Sequence, residues 1–201
     1  MQNSVKNIEE IIDALRGTSF HQEAQNMKLF YDCVDMQIGE FTSSNDIHCI
    51  KGCGTCCEHF IPDLTTHEAK YLALYLISEG RVEEALSRFR ENRSYCPFYD
   101  HDKEHHCSVY PARGLICRLF GSVCSEDKNG MIHFPHCKWN ESQRIEMIKE
   151  HSESYPTFSR YGIELESMDG NSTYTELLPE AVEKAIHKLE MILNYLDNQA
   201  V

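Results

Sequence analysis

The sequence predicts a mostly α fold, an irregular helical domain with cysteine-rich, metal-held loops and at most a small β-hairpin. Three observations predict it. Apolar residues recur at three- and four-residue intervals towards both ends of the chain, the strand–helix alternation of a parallel sheet is missing, and four cysteines fall between Cys49 and Cys57.

Val5, Ile8, Ile11, Ile12 and Leu15 share one face of a helix over residues 4–16 that stops at Gly17. Phe20, Ala24, Met27, Tyr31, Val34 and Ile38 repeat the pattern over 19–38. Cys33, inside that helix, reads as a small core hydrophobe and stays outside the site. Thr65 and Glu68 have capping-box spacing and open a helix carrying Ala69, Leu72, Ala73, Leu76 and Ile77, ended by Gly80. A second helix over 81–94 completes a helical hairpin.

Between Cys96 and Cys107, the polar run Asp100 to His106 reads as an exposed turn whose ends are brought together by sulfur ligation. Pro111 suits the first position of a short helix through Phe120, which places Cys117 near its end. Asn129-Gly130 marks a tight turn in a small hairpin joining Val123 to Phe134. A helix at 140–150 follows, and Tyr155 to Leu178 reads as irregular. The closing helix, Pro179 to Asn198, has Val182, Ile186, Leu189, Leu193 and Leu196 on one face, a stripe expected to return to the core. The chain divides into N-terminal amphipathic helices (1–47), a cysteine-cluster metal-binding domain (48–138) and a C-terminal helical segment packing on the same domain (139–201).

At 201 residues the chain is long enough to fold without staples, so its ten cysteines need another reason. Met1 to Gly17 carries Lys6, Glu9, Glu10 and Asp13 among its apolar positions, which is unlike a signal peptide, and no run approaches 18 apolar residues. The expected setting is cytoplasmic and reducing, where clustered cysteines bind metal or react more often than they form disulfides. A net charge of −13 argues against nucleic acid and against an anionic membrane surface as partners.

Thiolates are soft ligands suited to zinc, Cu(I) and iron–sulfur clusters, and short spacings let one loop aim several sulfurs at one centre. Gly52 and Gly54 permit positive φ in such a loop. Cys56 and Cys57 are adjacent, and neighbouring side chains in most conformations diverge, so the pair points to two centres or a polynuclear cluster. A vicinal disulfide is the strained redox alternative. Cys49, Cys53 and Cys56 also have the C-x3-C-x2-C spacing of radical-SAM enzymes, but those need a strand–helix barrel after the motif, and helices follow here.

Three blocks occur in order: Cys49 to Cys57, Cys96-Pro97-Phe98, and Cys107-Ser108-Val109-Tyr110 leading into Arg113 and Cys117-Arg118. Together they resemble the cysteine-cluster family called YkgJ, or CxxCxxCC, over about residues 48–138. The resemblance implies a zinc- or iron-chelating domain. Two departures are a C-x3-C where many members have C-x2-C, and Gly114 where a proline is usual after the arginine. The first widens the loop by a residue, and the second is expected to loosen the start of the helix presenting Cys117.

A late cysteine is usual in the family, and Cys137 matches its position better than Cys124. The implied ligand set is then Cys49, Cys53, Cys56, Cys57, Cys96, Cys107, Cys117 and Cys137, eight thiols that equal two four-cysteine sites or one cluster plus one structural ion. Arg113 and Arg118 flank Cys117 and are candidates to donate charge-assisted hydrogen bonds to thiolate or sulfide, the alternative being a surface salt bridge. His48 and His136 each adjoin a proposed ligand, with side chains expected to point away from it. His101, His105 and His106 read as solvated imidazoles.

The leading expectation is an iron–sulfur cluster used in electron transfer or redox sensing, with a redox partner protein and, if the chain is an enzyme, oxidoreductase chemistry. The alternative is a zinc-stabilised structural or interaction module without redox activity. A third reading, an accessory or member of a protein lysine methylation system, rests on the same cysteine block occurring in flagellin lysine methylases. The chain has no Gly-rich nucleotide loop to hold a methyl donor.

Overall fold

Asn7 opens the first helix, α1 (Ile8–Ala14), through a reciprocal capping box with Glu10. Each side chain satisfies a backbone amide that the first turn leaves unpaired. The computed structural model describes residues 7–45, 47, 53–91, 94–103, 106–129, 132–134, 155–168, 170 and 174–199, so Val5 lies outside the described residues. Gly17, at φ 87°, ends the segment as its sequence predicts.

Helix α2 (Ser19–Ser44) runs six residues beyond the predicted end at Ile38. Its buried stripe is Phe20, Ala24, Met27, Tyr31, Val34 and Ile38, as read from the spacing. Cys33 is not in the core: it is exposed. At about 100° per residue it falls roughly 140° from the centre of that stripe, on the face it shares with exposed Leu29 and Met36.

Strand β1 (Asp63–Thr65) leads directly into α3 (Thr66–Ser78), where Thr65 and Glu68 form the predicted capping box. Helix α3 is the centre of the molecule, touching α1, α2, α4 (Val82–Arg90) and α7 (Leu178–Gln199). Its Ala69, Leu72, Ala73, Leu74 and Leu76 are all within 2% of full burial. Burying each large aliphatic side chain contributes about 1.5–3 kcal/mol. The stripe of α7 returns to this core as expected: Val182, Ile186 and Leu189 are fully enclosed, and Leu193 and Leu196 pack at its edge.

The Pro111 segment divides in two, a 3-10 turn (Tyr110–Ala112) and α5 (Leu115–Leu119), with Arg113 and Gly114 extended between them. The predicted hairpin is present as β2 (Ser125–Glu126) against β3 (Ile132–His133). Tyr155 to Leu178 is less irregular than its sequence implies, because it contains α6 (Phe158–Met168) and β4 (Thr175–Leu177). Only Tyr161 and Leu165 of α6 are buried, one helical turn apart, so the periodic signal is weak. Strand β4 pairs antiparallel with β1, Leu64 opposite Glu176, a contact across more than a hundred residues that the local pattern does not announce. The helix expected at 140–150 lies outside the described residues. Among those described, no helix is long and apolar enough to cross a membrane.

Candidate metal centre

Gly54 sits in the left-handed region at φ 59° and starts a 3-10 turn, Thr55–His59, that carries Cys56 and Cys57. The loop lies so close to its neighbour that a Cβ on Gly54 would stand 2.9 Å from the Cys107 amide nitrogen. Glycine is required there both for its φ and for that approach. The Cys96 amide donates to the Cys57 carbonyl at 3.1 Å, fixing the second cysteine block against the first.

Cys107 ends a narrow turn that begins at Tyr99. Its ends are joined by the backbone, with Ser108 N donating to Phe98 O at 3.0 Å and Asp100 N to His106 O at 2.8 Å. The ends of the turn are therefore joined by a backbone β-bridge between Tyr99 and Cys107. Cys117 lies in α5, its amide bonded to Gly114 O at 3.1 Å. The first amide of α5, Leu115 N, donates to Glu68 Oε1 at 2.6 Å. Glu68 is buried and also accepts from Thr65 N and the Tyr31 hydroxyl. Burial raises its pKa and these donors oppose the rise.

These elements bring five thiols together. Cys56 and Cys57 hydrogen-bond each other, and Cys57 bonds Cys96. Cys117 lies in the field of Cys56 and Cys107, and Cys107 lies in the field of Cys56. On the tight 3-10 turn the adjacent pair stays in contact, side chain to side chain. Both are free thiols in this structure. Among the described residues, no three His, Cys, Asp or Glu side chains converge at metal-ligating distance.

Electrostatics reflect the crowding. Hydrogen bonding with Cys57, then burial, pushes Cys56 well above the ordinary thiol range. For Cys57 the bond with Cys56 favours the thiolate, but the bond with Cys96 and burial outweigh it. Burial raises Cys107, and it pushes Cys117 up to about 12 with help from Cys56, Cys107 and Glu68. Arg113 opposes the rise at Cys56, Cys107 and Cys117, and Arg81 at Cys107. A bound cation reverses the sign of this field, so soft donors in this arrangement fit a thiophilic metal.

Residues 48–152 match the model of the CxxCxxCC family, described as a "putative zinc- or iron-chelating domain". The chain belongs to the CxxCxxCC family. No curated protein and no solved structure matches it.

Within this CxxCxxCC chain the remaining predicted site residues take different places. Cys53 is half-buried beside Thr55, Sγ to Oγ1 3.0 Å, and acts with Cys56 and Cys57 on the Tyr99 phenol, which burial already holds above its usual range. Cys49, Cys137, His48, His136, His105 and Gly52 lie outside the described residues. Cys124 is fully buried, tied through its backbone to Pro156 and Phe158, and burial pushes its thiol up to about 12. His101 is exposed on the turn, its ring 4.5 Å from that of Tyr99.

The two arginines differ. Arg113 stacks on Tyr110 at 3.6 Å, donates to Tyr110 O, and turns its charge towards three of the thiols. Arg118 is buried and gives its donors to Arg113 O, Pro111 O and Asp35 while lying 3.9 Å over the Tyr31 ring. It braces the Cys117 segment against α2. Gly114 has φ −60°, which a proline also adopts, yet a Cβ there would stand 2.5 Å from Leu64 Cδ2. The segment is held closely against β1, whereas the missing proline had been expected to loosen it.

Sequence reasoning missed Arg81 and Glu68 as parts of this centre. Arg81 donates to Ser108 O at 2.7 Å, next to Cys107. The capping-box spacing located Glu68 but gave it only a local task.

Proposed function

We propose that this chain uses its thiols to hold an iron–sulfur cluster serving electron transfer or redox sensing in the cytoplasm, with a redox partner protein. The observation that supports the reading is that Cys56, Cys57, Cys96, Cys107 and Cys117 form one connected neighbourhood of pairwise interacting thiols, with Cys53 beside Thr55 on the same 3-10 turn. A structural zinc ion takes four ligands, and a fifth thiol among them favours a polynuclear centre. When bound, such a cluster supplies one-electron chemistry whose potential depends on hydrogen bonds, charge and burial around its sulfurs.

The chain's own residues set those conditions. Arg113 places a fixed positive charge beside three thiols, which favours their ionised form and the more reduced state of a bound centre. Cys96 is itself buried, as are Phe98 and Tyr99 after it, so this side of the cysteine set is out of contact with solvent. Glu68 and Arg118 fix the helix that presents Cys117.

The test is a reductive titration of protein purified without oxygen, followed in the visible spectrum. A band that bleaches with dithionite and returns on reoxidation is expected, and Arg113→Gln should lower the midpoint potential. A featureless spectrum with stoichiometric zinc would replace this reading with a structural metal site.

A further inference from the structure

We infer that α4 clamps the cysteine set through the backbone, with Arg81 and Arg88 as positioning residues that fix Cys107 and Cys96 relative to one another for the metal. The inference rests on the reading that these thiols hold a metal and is independent of which metal they hold.

Arg81, Glu84 and Arg88 follow one another at three- and four-residue intervals, the spacing that lines side chains along one face of a helix. Each arginine reaches from that face to the carbonyl of a residue directly after a cysteine. Arg81 Nη1 donates to Ser108 O at 2.7 Å, and Arg88 Nη1 donates to Pro97 O at 3.0 Å. Ser108 follows Cys107 and Pro97 follows Cys96, so the two bonds hold both ends of the turn closed by the Tyr99–Cys107 bridge. Arg88 Nη2 also meets Asp100 Oδ2 within the turn, at 3.4 Å.

Glu84 links the two arginines. It accepts Arg81 Nε at 2.9 Å and Arg81 Nη2 at 3.2 Å, and it takes Arg88 Nη2 at 2.9 Å. An exposed ion pair by itself contributes little. Here the guanidinium side chains are only 21% and 16% exposed, and their other donors go to the carbonyls beside Cys107 and Cys96. A guanidinium is planar with its donors in a fixed fork, so a carboxylate held on one edge sets the direction of the remaining donor. Glu84 therefore aims Arg81 Nη1 at Ser108 O, a task that a lysine ammonium, with no fork, cannot share between two partners. Metal ligands have to be held within about 0.5 Å of their productive positions, and α4 supplies that restraint for two of the proposed ligands from outside the cysteine loops.

The experiment follows release of metal from the full-length, metal-containing protein to excess EDTA without oxygen, with urea unfolding of the same samples. Arg81→Gln and Arg88→Gln should each speed release about tenfold or more, the scale on which residues that orient metal ligands act. Glu84→Gln should do the same, and its combination with Arg88→Gln should fall short of the product of the two single effects, because both act through one network. Arg81→Lys keeps the positive charge beside Cys107 but lacks the fork, and it should still release faster than the parent protein. Ile186→Val, in the buried stripe of α7, lowers stability without touching the clamp and gives the release that lost stability alone produces. Release in the arginine variants no faster than their lost stability accounts for, or parental release in Arg81→Lys, would overturn the clamp while leaving the metal reading intact. A chain that holds no metal at all would overturn that reading, and the clamp with it.

Discussion

Glu68 Oε1 accepts the Leu115 amide at 2.6 Å across 47 residues of sequence, and this joins the start of α3 to the start of α5, the helix that carries Cys117. The same carboxylate accepts Thr65 N at 2.8 Å. Glu68→Ala therefore leaves two buried amides without acceptors and should cost about 2–4 kcal/mol, with weakened metal retention. Urea unfolding of the variant measures the first effect and metal analysis the second. A change under about 0.5 kcal/mol would remove Glu68 from the scaffold of the centre.

Gly54 meets a backbone atom, the Cys107 nitrogen, which cannot rotate away as a side chain can. Gly54→Ala adds both that clash and an unfavourable φ of 59°, together about 2–3 kcal/mol. The expected result is lost metal at a lowered unfolding midpoint. Gly162→Ala, in a helical site with open space around its Cβ, serves as the control and should be neutral or slightly stabilising.

Cys56→Ser and Cys57→Ser should each lose metal, because both thiols belong to the connected set. Cys33→Ser should change neither metal content nor stability, since Cys33 is exposed on α2. Metal retained in both cluster variants would contradict the assignment of these thiols as ligands.

Glu23 links α2 to α3 through Lys70, and it supplies a pH signature away from the thiols. Burial raises its pKa, but the hydrogen bond and charge of Lys70, with His67 and Ser19, outweigh burial and leave it below the usual 4.5. A depressed carboxylate contributes stability that is present above its unfolded pKa and lost as pH falls through its folded pKa. Glu23→Gln should therefore cost about 1 kcal/mol at pH 7, with the cost shrinking as the pH drops below the unfolded value. Paired denaturation curves at pH 7 and in that acid range read the difference, and a cost independent of pH would contradict the ion pair.

The helices were legible because their signals are local. The stripe of α2 from Phe20 to Ile38, the Thr65–Glu68 box and the face of α7 each lie within a few turns. The cysteine blocks were legible because thiols so closely spaced need a common reason. The pairing of β1 with β4, the reach of Glu68 to Leu115 and the bracing role of Arg118 were not, because each joins residues far apart in sequence. Cys33 misled for the opposite reason: its residue type is often buried, but its phase on α2 faces outward, and phase decides exposure on a helix already committed to one apolar stripe.

Elemental and acid-labile sulfide analysis of the anaerobically purified protein addresses the central claim most directly. The account predicts several irons per chain with matching sulfide, both lost in Cys56→Ser. Zinc in place of iron, with no labile sulfide, would contradict it and leave a chain whose thiols build a structural d10 site.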